Sequence, residues 1–104
     1  MNELKEAIDT EPRPTVAWFA QLMECKLRAR DYRGGWENCT LQYLVGGMTE
    51  EVLELIGAMD AILTDDGLTN LYAVIEEAVD VANYCMMLAD VAQAQIRREE
   101  GWSW

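Results

Sequence analysis

The residues with chemical potential are acids in two groups. Glu50, Glu51 and Glu54 form the first; Glu77 and Asp80 form the second, separated by 22 residues (positions 55–76), and Asn83 follows one turn later. Residues three or four apart share one side of a helix. Glu51 and Glu54 facing Glu77 and Asp80 across an antiparallel helix pair would therefore place four hard oxygen donors around one small volume. Such donors, without thiolate or imidazole, select Mg²⁺ or Mn²⁺ over zinc or copper. Magnesium shares its shell with substrate phosphates, which points to phosphoryl or pyrophosphoryl chemistry. The chain contains no histidine. That removes the imidazole base of Ser-His and Cys-His hydrolases, histidine-ligated zinc and di-iron bundles built on Glu-x-x-His, and leaves carboxylates to carry the chemistry.

The surroundings of these acids sharpen the point. From Glu77 to Ala89 (EAVDVANYCMMLA) only Glu77, Asp80 and Asn83 are polar, so the segment reads as buried nearly all round, in a bundle interior or an oligomer interface. A bare carboxylate there costs several kcal/mol (roughly) through desolvation. Three compensations are open: a cationic partner from Lys26, Arg28, Arg30 or Arg33, protonation with hydrogen bonding, or a divalent cation. Projected at about 100° per residue from the centre of its apolar stripe, Glu51 lies roughly 80° off centre, Glu54 about 140° on the same side and Glu50 near the opposite pole. A solvated acidic face is the alternative reading of that trio.

Three helices must position these groups. Pro14 suits a first helical position and Val16, Phe19, Ala20, Met23 and Leu27 recur at helical spacing, predicting a helix from about 14 to about 30. Leu41, Leu44, Val45, Met48, Val52, Leu55, Ile56, Met59, Ile62 and Leu63 form one stripe, predicting a second helix from 38–40 to about 63. Gly46-Gly47 falls inside it and costs about 1 kcal/mol per glycine relative to alanine, so a kink or a start only at Thr49 is the alternative. A third helix is expected to begin after Asp66-Gly67-Leu68-Thr69 and to run to about Arg98, stopped by Gly101. No segment alternates with period two, so the fold class is all-α, an antiparallel helical bundle.

At 104 residues and 11.8 kDa the chain is one domain, with 1–13 and 99–104 peripheral. Three helices cannot easily cover a third that is apolar on every side, so the core is expected to be completed by oligomerisation, as a homodimer or homotetramer. A net charge of −11 disfavours a nucleic acid polymer or an anionic membrane as partner. The three cysteines, Cys25, Cys39 and Cys85, lack C-x-x-C spacing, and no signal peptide or membrane span is evident, so a reducing, cytoplasmic location is expected.

Glu50-Glu51-x-x-Glu54 followed by Glu77-x-x-Asp80 resembles the E-E-x-x-E then E-x-x-D signature of the MazG-like all-α nucleoside triphosphate pyrophosphohydrolases, relatives of the all-α dimeric dUTPases. Lys26-Leu27, the Arg33-Gly34-Gly35-Trp36 turn, the Leu44–Leu55 run and the segment from Glu77 to Tyr84 extend the likeness over roughly 26–90. The resemblance implies Mg²⁺-dependent hydrolysis of a (deoxy)nucleoside triphosphate to the monophosphate and pyrophosphate, Mn²⁺ being a substitute, by metal-activated water. Glu51, Glu54, Glu77 and Asp80 take its metal-ligand and catalytic positions. Glu50 becomes supporting or structural, and Asn83 orients a ligand, a metal-bound water or the nucleotide. Lys26, Arg30 and Arg33 are candidates for contacting the triphosphate, or equally for balancing nearby acids. Trp36 is a candidate base-stacking surface, preferred over Trp18, Trp102 and Trp104; the Met48, Met59, Met86 and Met87 set reads as packing. The competing function is a non-catalytic acidic helical-bundle module for protein interaction.

Overall fold

The structure, a computed structural model, describes residues 10–101. Those residues form three helices and no strand: α1 (Pro14–Ala29), a single 3-10 turn at Asp31–Arg33, α2 (Leu41–Thr64) and α3 (Leu68–Glu100). Trp102 and Trp104 lie outside the described residues. The boundaries follow local chemistry. Pro14 opens α1, where a missing N–H costs nothing. Thr40 caps α2, its Oγ1 accepting from the Tyr43 N–H at 3.1 Å. The turn into α3 is held by Asp65, whose Oδ1 accepts from the Gly67 N–H at 2.9 Å. Gly101 ends α3 in the left-handed region at φ 70°, returning its N–H to the Arg97 carbonyl.

Helix α2 runs unbroken through Gly46-Gly47, so the late start at Thr49 does not occur. Close packing explains one of the two glycines: a Cβ at Gly47 would fall 2.5 Å from Tyr84 Cε1. The missing side chain lets the Tyr84 ring lie directly on the α2 backbone. At Gly46 nothing lies within 4 Å.

Helices α2 and α3 are antiparallel. Gly47 meets Tyr84, Met48 Sδ accepts from the Cys85 thiol at 3.8 Å, and Glu51 gathers with Glu77 and Asp80, so numbering on α3 falls as that on α2 rises. Helix α1 runs antiparallel to α3, with Met23 opposite Asn83 and Lys26 opposite Asp80. Among the described residues α1 packs on α3 and not on α2. The central element is therefore α3, between one close partner and one lighter one.

Burial within one chain departs from the expected pattern in two places. The 77–89 segment is not covered all round by its own chain: Val79, Asp80 and Asn83 are buried, but Cys85 and Ala89 are exposed. Two neighbouring helices leave a third side of α3 open. The α2 stripe also packs off-centre. Leu44 is buried and Leu55 and Ile62 half-buried, while Val45, Ile56, Met59 and Leu63 face outward, Leu63 at 84% exposure. The packed face is rotated toward Glu51, which brings that acid onto α3 instead of leaving it at the rim. A radius of gyration of 16.0 Å, against about 13 Å for a compact chain of this length, fits this open arrangement. No helix of the described residues is long and apolar enough to cross a membrane.

Candidate functional site

Helical geometry delivers the acids to one place. Glu51 from α2 and Glu77 and Asp80 from α3 each offer a carboxylate oxygen, and the three lie within 4.8 Å of one another. Glu54, one turn beyond Glu51 and exposed, is close enough to act on both Glu51 and Glu77. Burial, then hydrogen bonding to Glu54 and the charges of Glu54, Asp80 and Glu77, push the Glu51 carboxyl from an ordinary 4.5 to about 7. Burial and the charge of Glu54 likewise raise Glu77, partly opposed by Lys26. Glu51 Oε2, Glu77 Oε2 and Asp80 Oδ1 are buried without a hydrogen-bond donor. For Glu51 Oε2 and Glu77 Oε2 that state calls for a proton or a cation; Asp80 Oδ1 has two cations near it, but neither in hydrogen-bond geometry. An octahedral magnesium holds its oxygens at about 2.1 Å, placing opposite ligands roughly 4.2 Å apart. A trio spanning at most 4.8 Å fits that donor set with a small contraction.

Of the clustered acids, Asp80 is the one in direct ion pairs among the described residues. It is 7% exposed; Lys26 Nζ sits 3.4 Å from Oδ1 and 3.5 Å from Oδ2, and an Arg30 guanidinium nitrogen 3.6 Å from Oδ1. These two cations and Arg33 line one side of a cleft of about 300 Å³, with Asp80, Asn83 and Tyr84 on the other. Arg33 is turned onto its neighbour, stacking 5.5 Å over the Tyr32 ring and donating to its hydroxyl. Asn83 is 5% exposed; its Nδ2 donates to the Met23 carbonyl at 3.3 Å, while Oδ1 has no partner. A larger hollow of about 650 Å³ between 37–42 and the end of α3 is lined by Glu37 but by none of the four clustered acids.

Of the residues singled out from the sequence, the fold brings together Glu51, Glu54, Glu77 and Asp80, with Lys26, Arg30 and Asn83 beside them. Glu50 stays exposed and outside the cluster; burial, then the charges of Glu51 and Tyr43, and last that of Glu50, raise the Tyr84 hydroxyl. Trp36 lines the cleft, but its indole N–H is engaged by Asp90 Oδ2 at 2.9 Å. Hydrogen bonds from Gln93 and Trp36 hold Asp90 below the usual carboxylate range. Met59 is half exposed instead of packed. Tyr84, Tyr43 and Asp90 were not anticipated. Tyr84 follows Asp80 by about one helical turn, a relation visible only once Asp80 is known to face the site, while Asp90, six residues beyond Tyr84, is found only through its partner Trp36. Comparison with family profiles, curated proteins and solved structures finds no match to this chain.

Proposed function

We propose that the chain is a MazG-like nucleoside triphosphate pyrophosphohydrolase that hydrolyses a (deoxy)nucleoside triphosphate to the monophosphate and pyrophosphate with Mg²⁺, or Mn²⁺ in its place. One observation carries the reading: three carboxylates from two helices meet with buried, donorless oxygens beside a cation-lined cleft. Glu51, Glu77 and Asp80 would hold the cation and Glu54 would complete its shell. When bound, that cation supplies charge neutralisation at the phosphates and activation of water. Lys26 and Arg30 bind and orient the anionic part of the substrate, and Asn83 Oδ1 accepts a hydrogen bond from a donor entering the cleft. Incubating the protein with a panel of NTPs and dNTPs plus Mg²⁺ tests this. Monophosphate and pyrophosphate are expected, and Glu51→Gln or Asp80→Asn abolishes release while far-UV circular dichroism stays helical. Inactivity of the wild type on every nucleotide refutes it.

The second reading, a non-catalytic acidic interaction module, is favoured by the pairing of Lys26 and Arg30 with Asp80, which gives that carboxylate a structural counter-charge. It predicts no thermal shift with Mg²⁺ and nucleotide, whereas specific ligands stabilise a fold by mass action.

A second copy of this chain is our proposed cover for the open side of α2. Val45, Thr49, Val52, Ile56, Met59 and Leu63 recur at spacings of 4, 3, 4, 3 and 4, a 3.5-residue repeat that is a coiled-coil seam. It carries no charge in a chain of net −11, and a two-fold axis can pair it with itself. The three unpaired thiols fit a reducing, cytoplasmic setting.

A further inference from the structure

We propose that Asp80 is a counter-ion exchanger: its carboxylate holds Lys26 and Arg30 until it takes a divalent cation, and the two side chains it releases then become the receptor for the polyphosphate of the substrate. The inference rests on the cation-cage reading above and adds an order of events and a coupling between two ligands.

The geometry supplies the argument. A well-made bond between a charged nitrogen and a carboxylate is about 2.7–2.9 Å long, but Lys26 and Arg30 stand 3.4–3.6 Å from Asp80. Attraction without a good hydrogen bond is easily given up. The two partners differ in room: the Asp80 side chain is 9% exposed, those of Lys26 and Arg30 are 28% and 45% exposed, so the cations have open space beside them that the acid lacks. Asp80 Oδ1 is the atom nearest both cations and is also donorless and buried. A divalent ion on the trio would stand within a few ångströms of both, where like charges repel. The displaced side chains already line the cleft, whose one other acid, Asp31, is exposed. An anion entering the cleft then meets two cations freed from their carboxylate. Cation and anion thus bind with positive, reciprocal coupling.

The chain has only two lysines, Lys5 and Lys26, which makes the exchange measurable without a variant. Amine-reactive labelling of the wild-type protein at pH 8.5, read by peptide mass spectrometry with and without Mg²⁺, is expected to show Lys26 labelled at least about fivefold faster with the cation and Lys5 unchanged. In calorimetric titrations with Mn²⁺ alone at that pH, above the Glu51 midpoint of about 7, Lys26→Met is expected to bind at least about fivefold more tightly than wild type, because a competing charge is gone. A wild type that binds no Mn²⁺ overturns the cage and the exchange together. A wild type that binds Mn²⁺ while Lys26 labelling stays constant, or a folded Lys26→Met that binds it no better, overturns the exchange and leaves the cage standing.

Discussion

Adjacent glycines in α2 offer a controlled perturbation, because Gly46 and Gly47 share a helix and a sequence context but not an environment. Alanine in place of a helix-interior glycine stabilises by about 1 kcal/mol. At Gly46, with nothing within 4 Å, that gain should appear in full. At Gly47 the new Cβ would stand 2.5, 2.6 and 2.8 Å from Tyr84 Cε1, Cζ and the hydroxyl oxygen, whereas carbon contacts are most favourable near 3.5–4.0 Å. Ring or helix must therefore retreat by about 1 Å, and overpacking of that kind costs about 1–3 kcal/mol. The helix gain offsets part of it, so Gly47→Ala should lie between neutral and about 2 kcal/mol destabilised. The gap between the variants, about 1–3 kcal/mol, corresponds to at least about 4 °C in Tm for a chain near 100 residues. Thermal and urea denaturation of both variants read it directly. In a Tyr84→Ala background the ring is gone, and Gly47→Ala should become as stabilising as Gly46→Ala. Equal Tm values for the two single variants, or a penalty at Gly47 that survives loss of the ring, would refute the close-packing account.

Other expectations concern charge and assembly. The raised Glu51 and Glu77 mean that the folded chain binds protons more tightly than the unfolded one. Their stabilising contribution is present below about pH 4.5 and lost as pH rises through about 7 for Glu51; Tm in chelator should fall between pH 5 and 8, and Glu51→Gln should flatten the decline. A Tm that rises over that window contradicts this. Asp90, being depressed, loses its contribution only below its ordinary 3.8, outside the window. Trp36→Phe deletes one of two donors to Asp90 at about 1–2 kcal/mol, and NMR titration should show Asp90 rising; an unmoved Asp90 sinks the assignment. Sedimentation equilibrium should give wild type a multiple of 11.8 kDa and Ile56→Asp the single-chain mass with helicity kept; a wild type at 11.8 kDa at every concentration overturns the seam.

The helices were legible because their signals are local: Pro14, a stripe recurring at 3.6 residues and glycines beyond the ends. The meeting of acids was legible too, since three-residue spacing on two segments joined by a short turn leaves few places for Glu51 and Asp80 to go. What escaped depends on partners distant in sequence. Gly47 reads as a liability until Tyr84 is seen lying on it, and Trp36 reads as a free stacking surface until Asp90 takes its N–H. The stripe was centred by its apolar residues alone, whereas the packed face is set by where α3 lies. That difference moved Glu51 inward and left Ile56 and Met59 outside.

Helix α1 has no fully buried residue and leans on α3 alone. Its inner anchors are the Met23 carbonyl at Asn83 and the cationic hold of Lys26 and Arg30 on Asp80. An element so lightly attached opens at low free energy and exchanges its amides ahead of the α2–α3 hairpin. Whatever neutralises Asp80 also loosens one of those anchors, so amide protection along 14–29 doubles as a gauge of the charge state at a carboxylate more than fifty positions away in sequence.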